Sequence, residues 1–369
     1  MLRPKGGRGF PPEVFHDSRA VSKFLAEKDP TAILSAELGP KFDQYRHAWD
    51  LAKRNLAVPP FPLHVDYEIK SLCNLRCPMC PMALSPASPA PVPTTEAKDS
   101  EANPSLETKA GTKTPPPRQR LSRAEVEALI DEGVESGQAS MGFGGLWEPL
   151  LCADLPALVA YGRRAGLVEA MFNTNGYHLT RRTSRELVEA GLTRLMVSLD
   201  AVDKKTYEQM RPGSDLDRVE ENILVFLEER AKARSPLPLL RLSFCLTSLN
   251  ERELPAFLER WSDKADFFSL QSYGRFSEDA PALFPSQTAQ SPPPPGFCAQ
   301  PFKRLLVRHD GQVLPCCDLS GLSLALGEAR KGLAAVWNGE KLNELRAQLR
   351  SLSLPPACRA CQSKYKPPA

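Results

Sequence analysis

A chain of 369 residues, with 47 Lys and Arg against 44 Asp and Glu and a net charge of +3, has the length for one large core plus a small appendage and no charge excess that selects a partner. It carries no basic block of the kind that marks a nucleic-acid footprint. No apolar run reaches the ~18 residues of a membrane span, and the opening MLRPKGGRGFPPEV lacks the apolar core of a signal peptide. The expectation is a cytoplasmic protein with no nucleic-acid or membrane partner, whose 10 cysteines serve as metal or cluster ligands rather than as disulfides.

Residues 1–60 carry weak signals and are read as a helical N-terminal extension. The apolar run Leu63 to Ile69 follows as a strand, and CNLRCPMC, with Cys73, Cys77 and Cys80, lies directly after it. Residues 84–120 have no aromatic residue and are dense in Pro, Ser, Thr, Ala and charge. Such a segment buries too little apolar surface to offset its ordering entropy, so a disordered and deletable insertion is expected in this strand-to-helix connection, inert by preference, with a regulatory or docking tail as the alternative. Ser122 to Glu125 is a capping box that opens a helix with Val126, Leu129, Ile130 and Val134 on one face. Strands are then expected at 139–143, 168–173, 192–200, 239–247 and 267–273. Helices are expected over 155–164, from Thr183 to a stop at Gly191, around Val219 to Leu227, and over 251–261. Strands alternating with helices imply right-handed βαβ units, a parallel sheet and an α/β fold. The domain boundaries expected are 61–275 for this unit, 276–297 for a Pro-rich linker and 298–369 for a small cysteine-bearing module.

The spacing C-x3-C-x2-C places three thiolates on one tight loop. They can hold three irons of a cubic [4Fe–4S] cluster and leave the fourth open, where a small molecule can coordinate. A zinc site with a distant fourth ligand is the alternative from spacing alone. Further polar strings sit at strand ends, where parallel barrels keep their active sites. GFGGLWEPLL offers Gly144 and Gly145 for close backbone approach and Glu148 as an acceptor for an ammonium group. NTNGYHLT closes the third strand with Asn173, and SLDA closes the fourth with Ser198 and Asp200. MRPG supplies Arg211, suited to pairing with a carboxylate.

These strings, in this order, resemble the motifs of the radical S-adenosylmethionine superfamily. The resemblance covers roughly residues 62–275 apart from the insertion. It implies a partial (β/α)6 TIM-like barrel. It also implies a [4Fe–4S] cluster on Cys73, Cys77 and Cys80 whose open iron is chelated by S-adenosylmethionine, and reductive cleavage to a 5′-deoxyadenosyl radical that abstracts hydrogen from a substrate. Glu148 and the glycines would meet the methionine amino group, and Asn173, Ser198, Asp200 and Arg211 would line the cofactor site. Two departures occur: Leu146-Trp147 lengthens the Gly-Gly-Glu-Pro string, and Met79 replaces the usual aromatic beside the adenine, where a thioether can still pack on a purine.

In the C-terminal module, Asp310-Gly311 between alternating apolar residues reads as a β-hairpin turn, and Val336–Leu349 reads as helical. Cys298, Cys316 and the pair Cys358 and Cys361 make a fully protein-supplied set of four, suited to closed tetrahedral zinc or to a [4Fe–4S] cluster. Cys317 could replace Cys316. Behind such a barrel, the module resembles the single-cluster SPASM/twitch extensions, which implies an auxiliary [4Fe–4S] cluster in a β-hairpin-plus-helix fold.

Strand alternation sorts the barrel residues. Val65, Tyr67, Leu195, Val197, Leu240, Leu242 and Phe244 should pack outward on helices. Asp66, Glu68, Ser198, Asp200, Arg241, Ser243, Cys245, Ser269, Gln271 and Tyr273 should face inward. That polar cavity suits a hydroxyl- or amine-rich small molecule. The reading is dehydrogenation of a sugar- or cyclitol-like substrate, with the auxiliary cluster as electron acceptor, Glu68 or Arg275 aiding proton loss, and a flavodoxin- or ferredoxin-like external electron donor. The alternatives are a peptide maturase, made less favourable by only about 60 residues ahead of the barrel, a radical epimerase using Cys245 or Cys317 as hydrogen donor, and a zinc-bound scaffold without catalysis.

Overall fold

A computed structural model describes residues 13–16, 22–26, 28–80, 121–145, 147–273, 298–316 and 319–363. The expected insertion at 84–120, the linker at 276–297, Arg275, Cys317 and Leu146 lie outside the described residues.

Strands β1 (Glu13–His16) and β2 (Ser22–Leu25) precede helices α1 (Pro30–Leu38) and α2 (Pro40–Asn55). The barrel then runs β3 (His64–Tyr67), α3 (Arg123–Glu135), β4 (Ser140–Phe143), α4 (Leu155–Ala165), β5 (Glu169–Thr174), α5 (Arg181–Glu189), β6 (Arg194–Ser198), α6 (Lys204–Met210), α7 (Leu216–Lys232), β7 (Leu239–Leu246), α8 (Leu254–Trp261) and β8 (Phe267–Ser272). The C-terminal part holds β9 (Arg304–Val307), β10 (Gln312–Leu314), β11 (Gly327–Glu328), α9 (Leu333–Trp337), α10 (Glu340–Arg350) and α11 (Pro356–Ser363).

Strands β3 to β8 pair in parallel, each with the next, in the order the alternating strand and helix periods imply. They do not close. One edge, β8, takes β2 and then β1 antiparallel, and the other edge, β3, takes β9 in parallel, giving an 11-stranded sheet. The fold is thus the open, partial barrel that the family resemblance implied. The capping box at α3 is present, with the Glu125 backbone N–H donating to Ser122 Oγ and the Ser122 N–H donating to the Glu125 carboxylate. Outward residues Val65, Tyr67, Leu195, Val197, Leu240, Leu242 and Phe244 join one apolar core with the helices.

Two expectations are corrected. The N-terminal extension is not purely helical: residues 13–16 and 22–25 are strands covering the β8 edge. Each is only four residues long, too short for a period to show, and an open sheet edge supplies the pairing that local sequence does not. The C-terminal module is also less separate than expected. Its β9–β10 hairpin, turning at Asp310-Gly311, extends the barrel sheet, and Phe302, Leu305, Val313 and Trp337 belong to the same apolar core as the barrel. Glu132 of α3 accepts from the Leu333 and Ala334 backbone N–H groups at the start of α9 (3.0 and 2.9 Å), a carboxylate on a helix N-terminus.

Helices α1 and α2 pack Leu34, Phe42 and Tyr45 with Leu239 and Phe267, at the N-terminal ends of β7 and β8. There Glu169 accepts from Tyr45 and Ser140 (both 3.2 Å) and pairs with Arg194 (2.6 Å). His64 bridges Ser140 (2.8 Å) and Asp66 (3.1 Å), and Asp66 also pairs with Arg304 of β9. Burial, reinforced by the Arg304 charge, pushes His64 well below its ordinary range. The unfolded chain therefore takes up a proton that the folded chain refuses. Stability is full above the unfolded value near 6.5 and falls on acidification, by up to about 1.4 kcal/mol per pH unit. Thermal unfolding at pH 7.5 and 5.5 should show that loss in the wild type and a smaller one in His64→Gln; equal losses would contradict this account.

Candidate active site and cluster-binding loops

The loop after β3 is pinned from several sides. The Cys80 backbone N–H donates to Cys77 O (2.8 Å), the Leu75 N–H points at Cys73 Sγ (3.4 Å), and Arg76 donates to the Cys73 and Leu75 carbonyls (3.3 and 2.8 Å). Asn74, buried between them, accepts from Asn175 Nδ2 (2.9 Å), which ties the loop to the end of β5. Cys73, Cys77 and Cys80 lie within one another's electrostatic field. Burial, ahead of their mutual repulsion, pushes the Cys73 thiol up to about 11 and the Cys77 thiol up to about 12. The Cys73 and Cys77 thiols stay protonated until a cation displaces their protons, as metal sites require. Among the described residues no three His, Cys, Asp or Glu converge closely enough for a single metal ion.

Glu148 follows β4 and is buried. Its Oε1 accepts from Thr174 Oγ1 (2.6 Å) and the Leu150 N–H (3.0 Å), and its Oε2 accepts from the Asn175 N–H (2.8 Å). Burial raises its pKa, opposed by the Asn175, Thr174 and Leu150 hydrogen bonds. The carboxylate expected to meet a ligand ammonium thus already clamps the end of β5. Gly145 has φ +126°, and a Cβ there would come within 2.7 Å of Glu68 Oε2; Gly144 faces open space.

At the ends of β6 and β7 the residues expected to contact the cofactor contact each other. Two N–H groups of Arg211, Nε and Nη2, converge on Asp200 Oδ2 (2.7 and 2.6 Å). Asp200 Oδ1 accepts the Cys245 backbone N–H (2.7 Å), and Arg211 Nη1 reaches Cys77 Sγ at 3.9 Å. Asn250 donates to the Asp200 and Cys245 carbonyls (2.7 and 2.9 Å), locking the two strand ends together. Burial alone would lower the Arg211 pKa, but the Asp200 charge and then the Cys77 sulfur hold it above its ordinary value. Cys245 packs with Met79, Met210 and Tyr273, and burial, then Asp200, keeps its thiol protonated.

Several inward positions of the other strands are polar, as the alternation implied, although Met171 and Met196 alternate with the outward core residues of β5 and β6. Arg241 donates to Asn173 Oδ1 (2.8 Å), and Ser198 is in register with Ser243, which is in register with Ser269. Glu68 Oε1 meets His309 Nδ1 of the β9–β10 turn at 2.8 Å. Glu68 Oε2, Ser243 Oγ and Ser269 Oγ are buried and find no hydrogen-bond partner among the described residues.

The C-terminal cysteines fall on separate elements. Cys298 and Cys316 flank the hairpin, while Cys358 and Cys361 lie one turn apart on α11, on one side of that helix. Helix α11 packs against the single-turn segment Leu319–Ser323. A Cβ on Gly321 of that segment would come within 2.7 Å of Cys316 Sγ, so the glycine keeps space open beside the sulfur. Thr174, Asn175, Asn74 and His309 were not singled out from sequence. NTNGYHLT and CNLRC displayed the first three, but which of their polar groups turn inward depends on partners far along the chain. His309, inside the expected hairpin turn, carried no such signal.

Residues 67–258 match the family described as the Radical SAM superfamily, and residues 298–362 match SPASM, an iron–sulfur cluster-binding domain. A probable GTP 3',8-cyclase of Methanococcus maripaludis is 28% identical over 139 residues, 38% of this chain and 44% of that protein. The Fe-coproporphyrin III synthase of Methanosarcina barkeri is 31% identical over 163 residues, 43% of this chain and 38% of that protein. The chain thus spans less than half the length of either relative. Among solved structures, Streptococcus suis SuiB bound to S-adenosylmethionine aligns with a TM-score of 0.58 at 15% identity, covering 87% of this chain and 76% of that one. At that identity the likeness concerns the fold alone. The match across the barrel, with the cysteine loop inside it, shows that the chain belongs to the radical SAM superfamily, an enzyme that uses S-adenosylmethionine at a [4Fe–4S] cluster and carries an auxiliary cluster in a C-terminal SPASM domain.

Proposed function

We propose that the enzyme oxidises a hydroxyl-rich small molecule, of sugar or cyclitol type, held inside the barrel. The observation that carries this reading is the set of buried polar atoms without partners among the described residues, Glu68 Oε2, Ser243 Oγ and Ser269 Oγ. Ser243 and Ser269 stand in register on β7 and β8, while Glu68 follows β3; buried polar atoms are normally satisfied, so each of the three suits a hydroxyl group of a ligand inside the barrel. In this reading Cys73, Cys77 and Cys80 hold the open cluster, and Cys298, Cys316, Cys358 and Cys361 hold the auxiliary one. When bound, the cofactors supply a 5′-deoxyadenosyl radical and an iron–sulfur electron acceptor. The chain's own residues do the rest. Ser243, Ser269 and Asn173 orient the substrate, Asp200 and Asn250 fix the strand ends, and Glu68 accepts the substrate hydroxyl proton, with His309 stabilising its position.

A second reading is epimerisation, favoured by Cys245. A protonated thiol among Met79, Met210 and Tyr273 is a hydrogen-atom donor beside the expected adenosine site. Product formed in heavy water from a panel of sugars, cyclitols and peptides, by wild type and by Cys245→Ala, separates the two. Oxidised product without carbon-bound deuterium, made equally by the variant, is the result expected. Deuterium at the reacting carbon, lost in the variant, would replace dehydrogenation by epimerisation. Turnover of peptides alone would replace the small-molecule substrate; SuiB has been seen with its precursor peptide SuiA.

A further inference from the structure

We propose that Arg211 sets the reduction potential of the cluster held by Cys73, Cys77 and Cys80, by keeping a buried positive charge against the Cys77 sulfur under the control of Asp200. The proposal rests on the assignment of the open cluster to those three cysteines. Two N–H groups of the guanidinium are already taken by Asp200 Oδ2 at 2.7 and 2.6 Å. The remaining edge presents Nη1 to Cys77 Sγ at 3.9 Å. Arg211 and Asp200 have side chains only 11% and 1% exposed, so water screens this charge weakly. Asp200 cannot swing away from Arg211, because its other oxygen holds the Cys245 N–H at 2.7 Å and its carbonyl is held by Asn250 at 2.7 Å. The sequence expectation gave Arg211 and Asp200 to the cofactor as separate contacts. The geometry makes them one rigid unit aimed at a cluster ligand.

The sign follows from elementary electrostatics. Reduction adds an electron whose charge spreads onto the cysteine sulfurs. A fixed cation at one sulfur favours the reduced state, and the nearby carboxylate partly offsets it; net charge and hydrogen bonds to the sulfurs are the levers that tune such clusters. A side chain that only shaped the pocket would lack this dependence on charge sign.

The test is an anaerobic redox titration followed by electron paramagnetic resonance, in a Cys358→Ala/Cys361→Ala background so that the open cluster is read alone. Arg211→Gln should lower the midpoint, cutting the reduced-to-oxidised ratio at fixed potential by about tenfold, or about 59 mV for a one-electron couple. Arg211→Lys, which keeps the charge, should recover most of that loss. Asp200→Asn should shift the midpoint the opposite way, upward. Opposite shifts from partners in one ion pair cannot come from general loosening, which would move both variants alike. Unchanged midpoints, or shifts of the same sign in Arg211→Gln and Asp200→Asn, would overturn the proposal. Weaker binding of S-adenosylmethionine by Arg211→Gln with an unchanged midpoint would reduce Arg211 to a ligand clamp and overturn it equally. Iron missing from the background protein would show that the two clusters do not form independently, and the same variants are then titrated with all cysteines in place, reading the signal that changes on addition of S-adenosylmethionine; unchanged or same-sign shifts there overturn the proposal equally.

Discussion

Cys77→Ala is expected to abolish 5′-deoxyadenosine formation, by at least about a hundred-fold, while the iron of the C-terminal cluster stays in place. Loss of partners that merely orient a metal ligand costs 10–100-fold, so loss of one of three direct ligands costs at least that much. Cys77 is the most buried of the three, and it is the one under the Arg211 guanidinium. A water molecule entering in its place would be a weak ligand in a site built to bind thiolate. The C-terminal cysteines sit on α11 and around the β9–β10 hairpin, separate from this loop in sequence and in element. Iron and sulfide should therefore fall by about half, to the content of one cubane. Undiminished cleavage in the variant would remove Cys77 from the ligand set, and loss of all iron would show that the two sites do not form independently.

Glu148→Ala is expected to destabilise the fold by about 2–6 kcal/mol, about 1–3 kcal/mol for each of two buried donors left without an acceptor. The carboxylate accepts three hydrogen bonds, from Thr174, Asn175 and Leu150, and its loss leaves the Thr174 hydroxyl and the Asn175 N–H without an acceptor in the interior. Asn175 also holds Asn74 in the cysteine loop, so the loosening should reach Cys73 and Cys77. Glu148→Gln keeps an acceptor oxygen and should cost less than half as much, because burial already disfavours the charged form. If Glu148 also meets the S-adenosylmethionine ammonium, Glu148→Gln will fold and yet bind that ligand poorly. Urea unfolding of both variants checks the first statement, and equal stability of wild type and Glu148→Ala would contradict it.

The barrel was legible because its strands are apolar runs bounded by clear helix periods, and alternation along β3, β6 and β7 sorted core from cavity. The hairpin at 304–314 was legible from Asp310-Gly311. What escaped was decided by partners distant in sequence. The pairing of β9 with β3 joins residues some 240 positions apart, and no local pattern encodes it. Strands β1 and β2 draw their order from the β8 edge. The helix under Cys358 and Cys361 is short, begins at Pro356 directly after Pro355, and is anchored by the segment it packs on. At the site, residue types were legible and pairings were not. Asp200 and Arg211 each suit a zwitterionic ligand, and only the positions of β6 and α6 bring them to 2.6 Å of one another.

The most direct test of the account is one anaerobic measurement on the reconstituted protein. Iron and sulfide are quantified, dithionite and S-adenosylmethionine are added, and 5′-deoxyadenosine is counted. The account predicts about eight irons and eight sulfides per chain and deoxyadenosine that depends on Cys77. A protein that binds zinc instead, or that holds its iron and yields no deoxyadenosine, would contradict it.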